Sequence, residues 1–427
     1  MKFCSVAAVF LILATGTALA QPDPALVQQG QYLAAAGDCA ACHTTIGGKP
    51  FAGGLGIASP IGKIYSSNIT PDKTDGIGDW TYDDFAKLMR RGITKQGYTV
   101  YPAMPFPSYA RVSDADMHAL YAYFMLGVAP VAQANEKPDI PWPLSMRWPL
   151  HVWRWFFAPS PGPFQPEPGQ DAATARGAYL VQTLGHCGSC HTPRDFTLQE
   201  ASLNDVNHPS YLSGGGVIDG WVPVNLRGDA TTGLGSWSEA DIVSFLKTGS
   251  NAKTAAFGGM SQVVNESTQY LTDEDLHAIA KYLKTLPAAS NAAFTYDNSE
   301  TTALNSGDAS RPGAQVYLAN CDVCHAANGQ GYAHAFPALA GNPVVQGQNP
   351  SSLINIVLGG ARRPVTAGAP SALVMPTLAW KLNDRQVADV LTFIRSSWGN
   401  TAPAVTPDQV ASLRKTFTPV PEHERAP

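Results

Sequence analysis

Six of the seven cysteines in the 427-residue chain fall into three identical arrangements, Cys39-x-x-Cys42-His43, Cys187-x-x-Cys190-His191 and Cys321-x-x-Cys324-His325. Two thiols three positions apart, followed at once by an imidazole, could hold zinc, form a redox dithiol or anchor a haem. Zinc usually takes four ligands, often as two pairs, and no second pair lies near any of these motifs. A thioredoxin-type dithiol needs a strand–helix setting, and nothing strand-like precedes them. An even cysteine count in an exported protein suggests disulfides, but a disulfide framework does not require a histidine after every second cysteine. Covalent haem uses every residue. Both thiols add to the vinyl groups from one turn, and the next residue aims its imidazole at the iron from the same face. The three motifs therefore predict three covalently bound haem c groups, with His43, His191 and His325 as iron ligands.

A sixth ligand would make each haem an electron carrier, whereas an open face would suggest peroxidase-like chemistry. Between the second motif and its last helix the only methionine is Met260, in "FGGMSQ"; the corresponding residue of the third is Met375, in "LVMPTLAW". Around the first motif, Met89, Met117 and Met125 fall on helical periodicity and read as core, and Met146 lies beyond the module. Met104, in the proline-braced "VYPAMPFPSY", stands just ahead of the last helix, in the same order as the other two. A single methionine is as good a gap filler as a ligand, but matched order in three modules points to Met104, Met260 and Met375 as ligands in loops. His118, His277 and His334 could compete, but the first two lie on the last helices and read as surface or core groups.

The elements that must position these residues recur as well. A helical run with glycine and tyrosine precedes each motif, with Gly30, Gly177 and Gly313 opening the three helices. Each module ends on an N-cap pattern, Ser113 with Asp116, Thr272 with Asp275 and Asn383 with Gln386. Apolar residues follow at matching offsets: Met117, Leu120, Tyr121, Phe124; Leu276, Ile279, Ala280, Leu283; and Val387, Val390, Leu391, Ile394. That spacing makes one helix face, and the opening helix of the same module is its natural partner. Middle helices start near Trp80, Trp237 and Ser351.

Charged residues are 14% of the chain and the formal net charge is −5, so there is no basic footprint for nucleic acid and no polybasic patch for anionic lipid. Residues 1–20 read as a secretory signal cleaved after Ala20, and no later stretch approaches the length of a spanning helix. The aromatic, proline-rich 131–172 segment contains "LHVWRWFF", a short helix that could strap two modules or offer a patch to a partner or a membrane. Residues 288–311 are small and polar and read as a flexible or surface-hugging tether. The "TPDQVASLRKTF" run in the tail reads as one more amphipathic helix, either packed or used for membrane attachment.

The sequence resembles the three-haem cytochrome c subunits of bacterial membrane-associated dehydrogenases: quinoprotein alcohol dehydrogenase, gluconate, sorbitol or fructose dehydrogenases, and some molybdenum aldehyde dehydrogenases. The resemblance rests on "YSSNITPDKTDGIGDWTYDDF", "YPAMPFPSYARVSDADMHALYAYFM", "GHCGSCHTPRD", "CDVCHAANGQG" and "RSSWGN", and it covers nearly the whole mature chain. It implies an all-α fold of three tandem class I cytochrome c-like domains, 21–130, 173–287 and 312–400, joined by linkers at 131–172 and 288–311 and followed by a tail at 401–427. It also implies an electron-transfer subunit that takes electrons from a separate quinoprotein, flavoprotein or molybdenum catalytic subunit. These would pass to ubiquinone at the periplasmic face of the cytoplasmic membrane, with the chain attached peripherally. The alternative class is a multihaem enzyme acting by itself, as a peroxidase or in thiosulfate oxidation; three candidate sixth ligands and the lack of a catalytic acid–base cluster weigh against it.

Overall fold

The computed structural model describes residues 23–204, 208–290 and 292–416. The expected signal segment and the last part of the tail lie outside the described residues. Among the described residues helices dominate, and the strand ladders are two short antiparallel hairpins, Gly56–Ser59 with Gly62–Tyr65 and Ala361–Arg362 with Val374–Met375.

The organising unit is a pair of crossed helices that occurs three times. The opening helices are Pro24–Ala36, Ala172–Gln182 and Ala314–Asn320. They meet the closing helices Asp114–Ala122, Asp273–Thr285 and Asp384–Arg395, respectively. Each closing helix starts where its cap predicts, with the side chains of Ser113, Thr272 and Asn383 accepting from the backbone N–H of Asp116, Asp275 and Gln386. Their apolar faces are buried: Met117, Leu120 and Phe124 in the first, where Tyr121 is half-buried, and all four expected positions, Leu276, Ile279, Ala280 and Leu283, in the second. In the third, Val387, Val390, Leu391 and Ile394 are all buried. The first closing helix widens at Tyr123–Gly127 into a π-helical turn.

The three glycines do not all open their helices as expected. Gly313 is an N-cap, but Gly30 and Gly177 lie inside their helices, at the crossing. A Cβ on Gly30 would stand 1.9 Å from the Ala119 carbonyl oxygen, one on Gly177 1.9 Å from that of Ala278, and one on Gly313 2.2 Å from that of Asp389. The opening and closing backbones therefore touch, and only glycine lets them do so.

The first two crossings share one continuous apolar core, whereas the third has its own, built around Tyr317, Phe393 and Trp398. The connections are more structured than composition suggests. Residues 131–140 are tied to the first unit: Asn68 Nδ2 donates to the Val131 carbonyl (2.8 Å), Lys63 and Asp139 pair through their backbones, and Val131 and Ile140 are buried. Of the flexible and surface-hugging readings of the polar 288–311 segment, its described residues favour the second. The segment forms a helix, Ser299–Asn305, whose buried Glu300 pairs with Arg311 and whose Leu304 enters the third core. The tail helix Pro407–Thr416 packs down as well, through Val410 and through Arg414, which bonds Asp384 (2.6 Å) and two backbone carbonyls. Among the described residues no helix is long and apolar enough to cross a membrane.

Candidate haem sites

Each Cys-x-x-Cys-His motif is a single helical turn set just beyond an opening helix: Cys39–His43, Gly188–His191 and Asp322–His325. Asp38 and His186, both at positive φ (51° and 35°), reverse the chain ahead of the first two turns. The three histidines share one hydrogen-bond pattern. His43 Nδ1 lies 2.7 Å from the Ser67 carbonyl, His191 Nδ1 2.7 Å from that of Val224, and His325 Nδ1 2.9 Å from that of Pro337. A carbonyl only accepts, so Nδ1 carries the proton, and Nε2 keeps a free lone pair in a ring of fixed orientation. Burial lowers the pKa of all three imidazoles, which holds them neutral, the form that binds a metal. None of the three acceptor residues was foreseeable from the motifs, because they stand 12 to 33 positions further along the chain.

The thiols are not an activated pair. Burial, reinforced by neighbouring acidic groups, pushes Cys39, Cys187 and Cys321 up to about 12 and Cys42 up to about 11. A redox dithiol needs a depressed pKa, which is the opposite shift. Nor do three His, Cys, Asp or Glu side chains converge anywhere among the described residues, as a zinc site would require. With both sulfurs and the imidazole on one turn, and that imidazole neutral and aimed, the residues fit covalently attached haem c.

The methionines sit less uniformly than their order suggests. Met104 is in an irregular proline-flanked segment, half-buried against the first core. Met260 is in the first turn of a helix, Gly259–Glu266, and Met375 is in the short Val374–Met375 strand. The expectation of three loop positions thus holds for Met104 alone. Pro102 and Pro105 flank Met104 and keep it outside regular structure, which resumes at the one-turn helix Phe106–Tyr109, whereas "GGM" is followed by a run that can continue a helix. Met89 and Met117 are core residues, as their periodicity predicts. His118 and His277 bond their own helix backbones at Asp114 and Asp273 and face solvent; His334 is exposed.

The first two motifs adjoin one another. Gln262 Nε2 donates to the Ala41 carbonyl (3.0 Å), the Tyr109 and His186 rings meet edge-on at 5.8 Å, and Cys190 lies near enough to influence Cys42 electrostatically. The contact that holds the two units together was not anticipated from sequence. Tyr32 of the first opening helix donates to Asp275 at the start of the second closing helix (2.5 Å), and Tyr179 of the second opening helix donates to Asp116 of the first closing helix (2.5 Å). Arg176 adds a two-pronged contact to Asp275 (2.8 Å each), and Gln29 donates to Asp116 (3.2 Å). The pairing is reciprocal, as an approximate two-fold relation between two copies of one unit requires. The repeated Gly-x-Tyr and N-cap-x-x-Asp patterns were its only sequence signal.

A cytochrome c family profile matches residues 27–126 and 310–398. Over 403 residues the chain is 58% identical to the gluconate 2-dehydrogenase cytochrome c subunit of Pantoea cypripedii, covering 93% of this chain and 91% of that protein. The chain belongs to the family of dehydrogenase cytochrome c subunits. Another member, the cytochrome c subunit of alcohol dehydrogenase (quinone) from Gluconacetobacter polyoxogenes, is 55% identical over 427 residues, 98% of this chain and 91% of that protein. The fructose dehydrogenase cytochrome subunit of Gluconobacter japonicus is 37% identical over 94% of this chain and 86% of that protein. For a cytochrome c subunit, covalently bound haem c is the expected cofactor, in agreement with the fit of the motifs. The profile leaves residues 127–309 unmatched, yet the second motif has the same turn, the same Nδ1–carbonyl bond and the same glycine crossing as the other two.

Proposed function

We propose that the chain is the electron-relay subunit of a periplasmic dehydrogenase complex, carrying three haem c groups in three tandem class I cytochrome c-like domains. In this reading Cys39, Cys42, Cys187, Cys190, Cys321 and Cys324 form the thioether bonds. His43, His191 and His325 ligate iron on one side, and Met104, Met260 and Met375 on the other. Bound haem c supplies a one-electron iron couple, and methionine opposite histidine favours the reduced state more than a second histidine would. The protein's own part is to fix the imidazoles through Ser67, Val224 and Pro337, to keep them neutral, and to exclude water. The partner is a catalytic subunit that oxidises an alcohol, aldehyde, sugar or sugar acid, and the acceptor is membrane ubiquinone. After removal of residues 1–20 the chain would work in the periplasm, bound peripherally to the cytoplasmic membrane.

The repeated Nδ1–carbonyl bond carries this reading, because it prepares three imidazoles in the same way for one task. A pyridine haemochrome assay on the purified chain should give three haems per polypeptide; fewer would remove one of the modules. Reconstituted with its catalytic subunit, the chain should transfer reducing equivalents from substrate to a ubiquinone analogue, and no such transfer would overturn the relay assignment. Peroxide turnover by the isolated chain would revive the enzyme alternative.

A further inference from the structure

The segment between the first two units forms a ten-residue helix, Trp148–Phe157, in which no residue is fully buried. Its inner side is attached to the protein. Trp153 meets Phe106 edge-on and donates through Nε1 to the Thr197 carbonyl (2.8 Å), and His151 bonds Thr99 (3.0 Å). The outer side carries Trp148, Val152, Trp155 and Phe156, at offsets 0, 4, 7 and 8, all on one face. These four are the exposed residues of the helix, at 64%, 47%, 78% and 66%, while the other six are half-buried. Trp142 (79%) and Leu144 precede the helix on the surface, and fully exposed Phe196 stands beside the Thr197 carbonyl that Trp153 holds. Large aromatics held outward by a helix that is pinned on its inner side need a covering medium.

Charge indicates which medium. The chain as a whole is acidic, at −5, yet no Asp or Glu occurs between Asp139 and Glu167. The same stretch holds Arg147 and Arg154, each directly preceding an outward tryptophan. No ion pair among the described residues involves either arginine, although Arg147 lies over the Tyr101 ring (4.0 Å) and the Nε of Arg154 is buried, so both keep their charge half-buried beside the helix. An apolar face of tryptophan and phenylalanine, in a stretch that carries positive charge and no carboxylate, matches the boundary of an anionic bilayer, where indole rings sit at headgroup depth.

We propose that the outward face of the Trp148–Phe157 helix, extended by Trp142 and Leu144, lies in the headgroup region of an anionic membrane and holds the cytochrome there. This rests on the peripheral attachment proposed above and assigns it to a named surface. The test is flotation of the full haem-loaded chain with vesicles of phosphatidylcholine, with and without phosphatidylglycerol. The variant combines Trp148→Ser, Trp155→Ser and Phe156→Ser, all outward residues, and its haem absorbance and thermal transition serve as the folding check. The native chain should float with the anionic vesicles and be released by salt, and the variant's partitioning should fall at least about ten-fold. If native and variant float equally, attachment lies elsewhere, and the peripheral reading survives without this assignment. If the native chain floats with neither vesicle, both fail. If the variant still floats but no longer co-purifies with the catalytic subunit, the face is a protein interface and the proposal is wrong.

Discussion

At the residue scale, a haem site here is a division of labour between a local motif and two distant groups. The motif places two sulfurs and an imidazole on one turn. A carbonyl from a separate segment then fixes the tautomer, and a methionine from a third segment completes the proposed ligand set. The prediction that belongs here concerns the methionines. In the native reduced chain all three haems should be six-coordinate and unreactive toward carbon monoxide. Met104→Ala, Met260→Ala and Met375→Ala should each open one haem to carbon monoxide and lower that haem's potential, as followed by absorbance and redox titration. A variant that leaves both readouts at native values would disqualify that methionine as a ligand. Met260 is the most demanding case, since a helical first turn leaves its side chain fewer orientations than a loop would.

At the element scale, the glycine crossings carry the architecture. An added methyl group at Gly177 would stand 1.9 Å from the Ala278 carbonyl oxygen, so the two backbones would have to separate. Overpacking of this sort costs about 1–3 kcal/mol or more. Gly177→Ala should therefore lower the denaturation midpoint markedly, whereas Gly162→Ala, with nothing within 4 Å of the added carbon, should stay within about 0.5 kcal/mol of native. Equal midpoints for the two variants would contradict the close crossing. The caps were legible in full, because an N-cap bonds within three residues. The use of the third-position acids was not. Gln386 folds back on its own N-cap backbone to close a capping box, whereas Asp116 and Asp275 turn outward to a tyrosine of the other unit.

At the scale of the whole molecule, those two aspartates join the first and second units. Burial raises the Tyr179 hydroxyl to about 12, with the Asp116 hydrogen bond adding to it, so this phenol remains a donor throughout the physiological range. Burial by itself would raise the Asp275 carboxyl, but hydrogen bonds from Arg176 and Tyr32 and the arginine charge outweigh it and hold the group below its ordinary 3.8. A carboxyl depressed in the folded state stabilises above its unfolded pKa and loses that contribution as pH falls through the folded value. The native chain should therefore lose stability below about pH 4 by a component that is missing in Asp275→Asn, measured by denaturation at a series of pH values. Tyr32→Phe with Tyr179→Phe leaves both buried carboxylates short of a donor and should cost about 1–3 kcal/mol per site. Proteolysis in the connecting 141–171 stretch should become faster in the double variant if the tyrosines hold the units together, and unchanged rates would argue that the shared apolar core suffices.

What the sequence by itself determined was whatever depends on neighbours along the chain: the three Cys-x-x-Cys-His turns, the caps, the apolar faces of the closing helices and the short tryptophan-rich helix. Each is set by interactions a few residues apart, so spacing encodes it directly. Only the tertiary structure decided the rest. It placed Gly30 and Gly177 at crossings instead of helix starts, and folded Ser299–Asn305 of the polar 288–311 stretch into a packed helix. It also sent the tail helix onto the third core and brought Tyr32 to Asp275, 243 residues away. Such contacts depend on where separately folded faces meet, and residue type gives no sign of a partner so distant. Tryptophan was visible at 148, 153 and 155 from the outset, but which of these would face inward was fixed only when Trp153 found Phe106 and Thr197, leaving Trp148 and Trp155 in solvent.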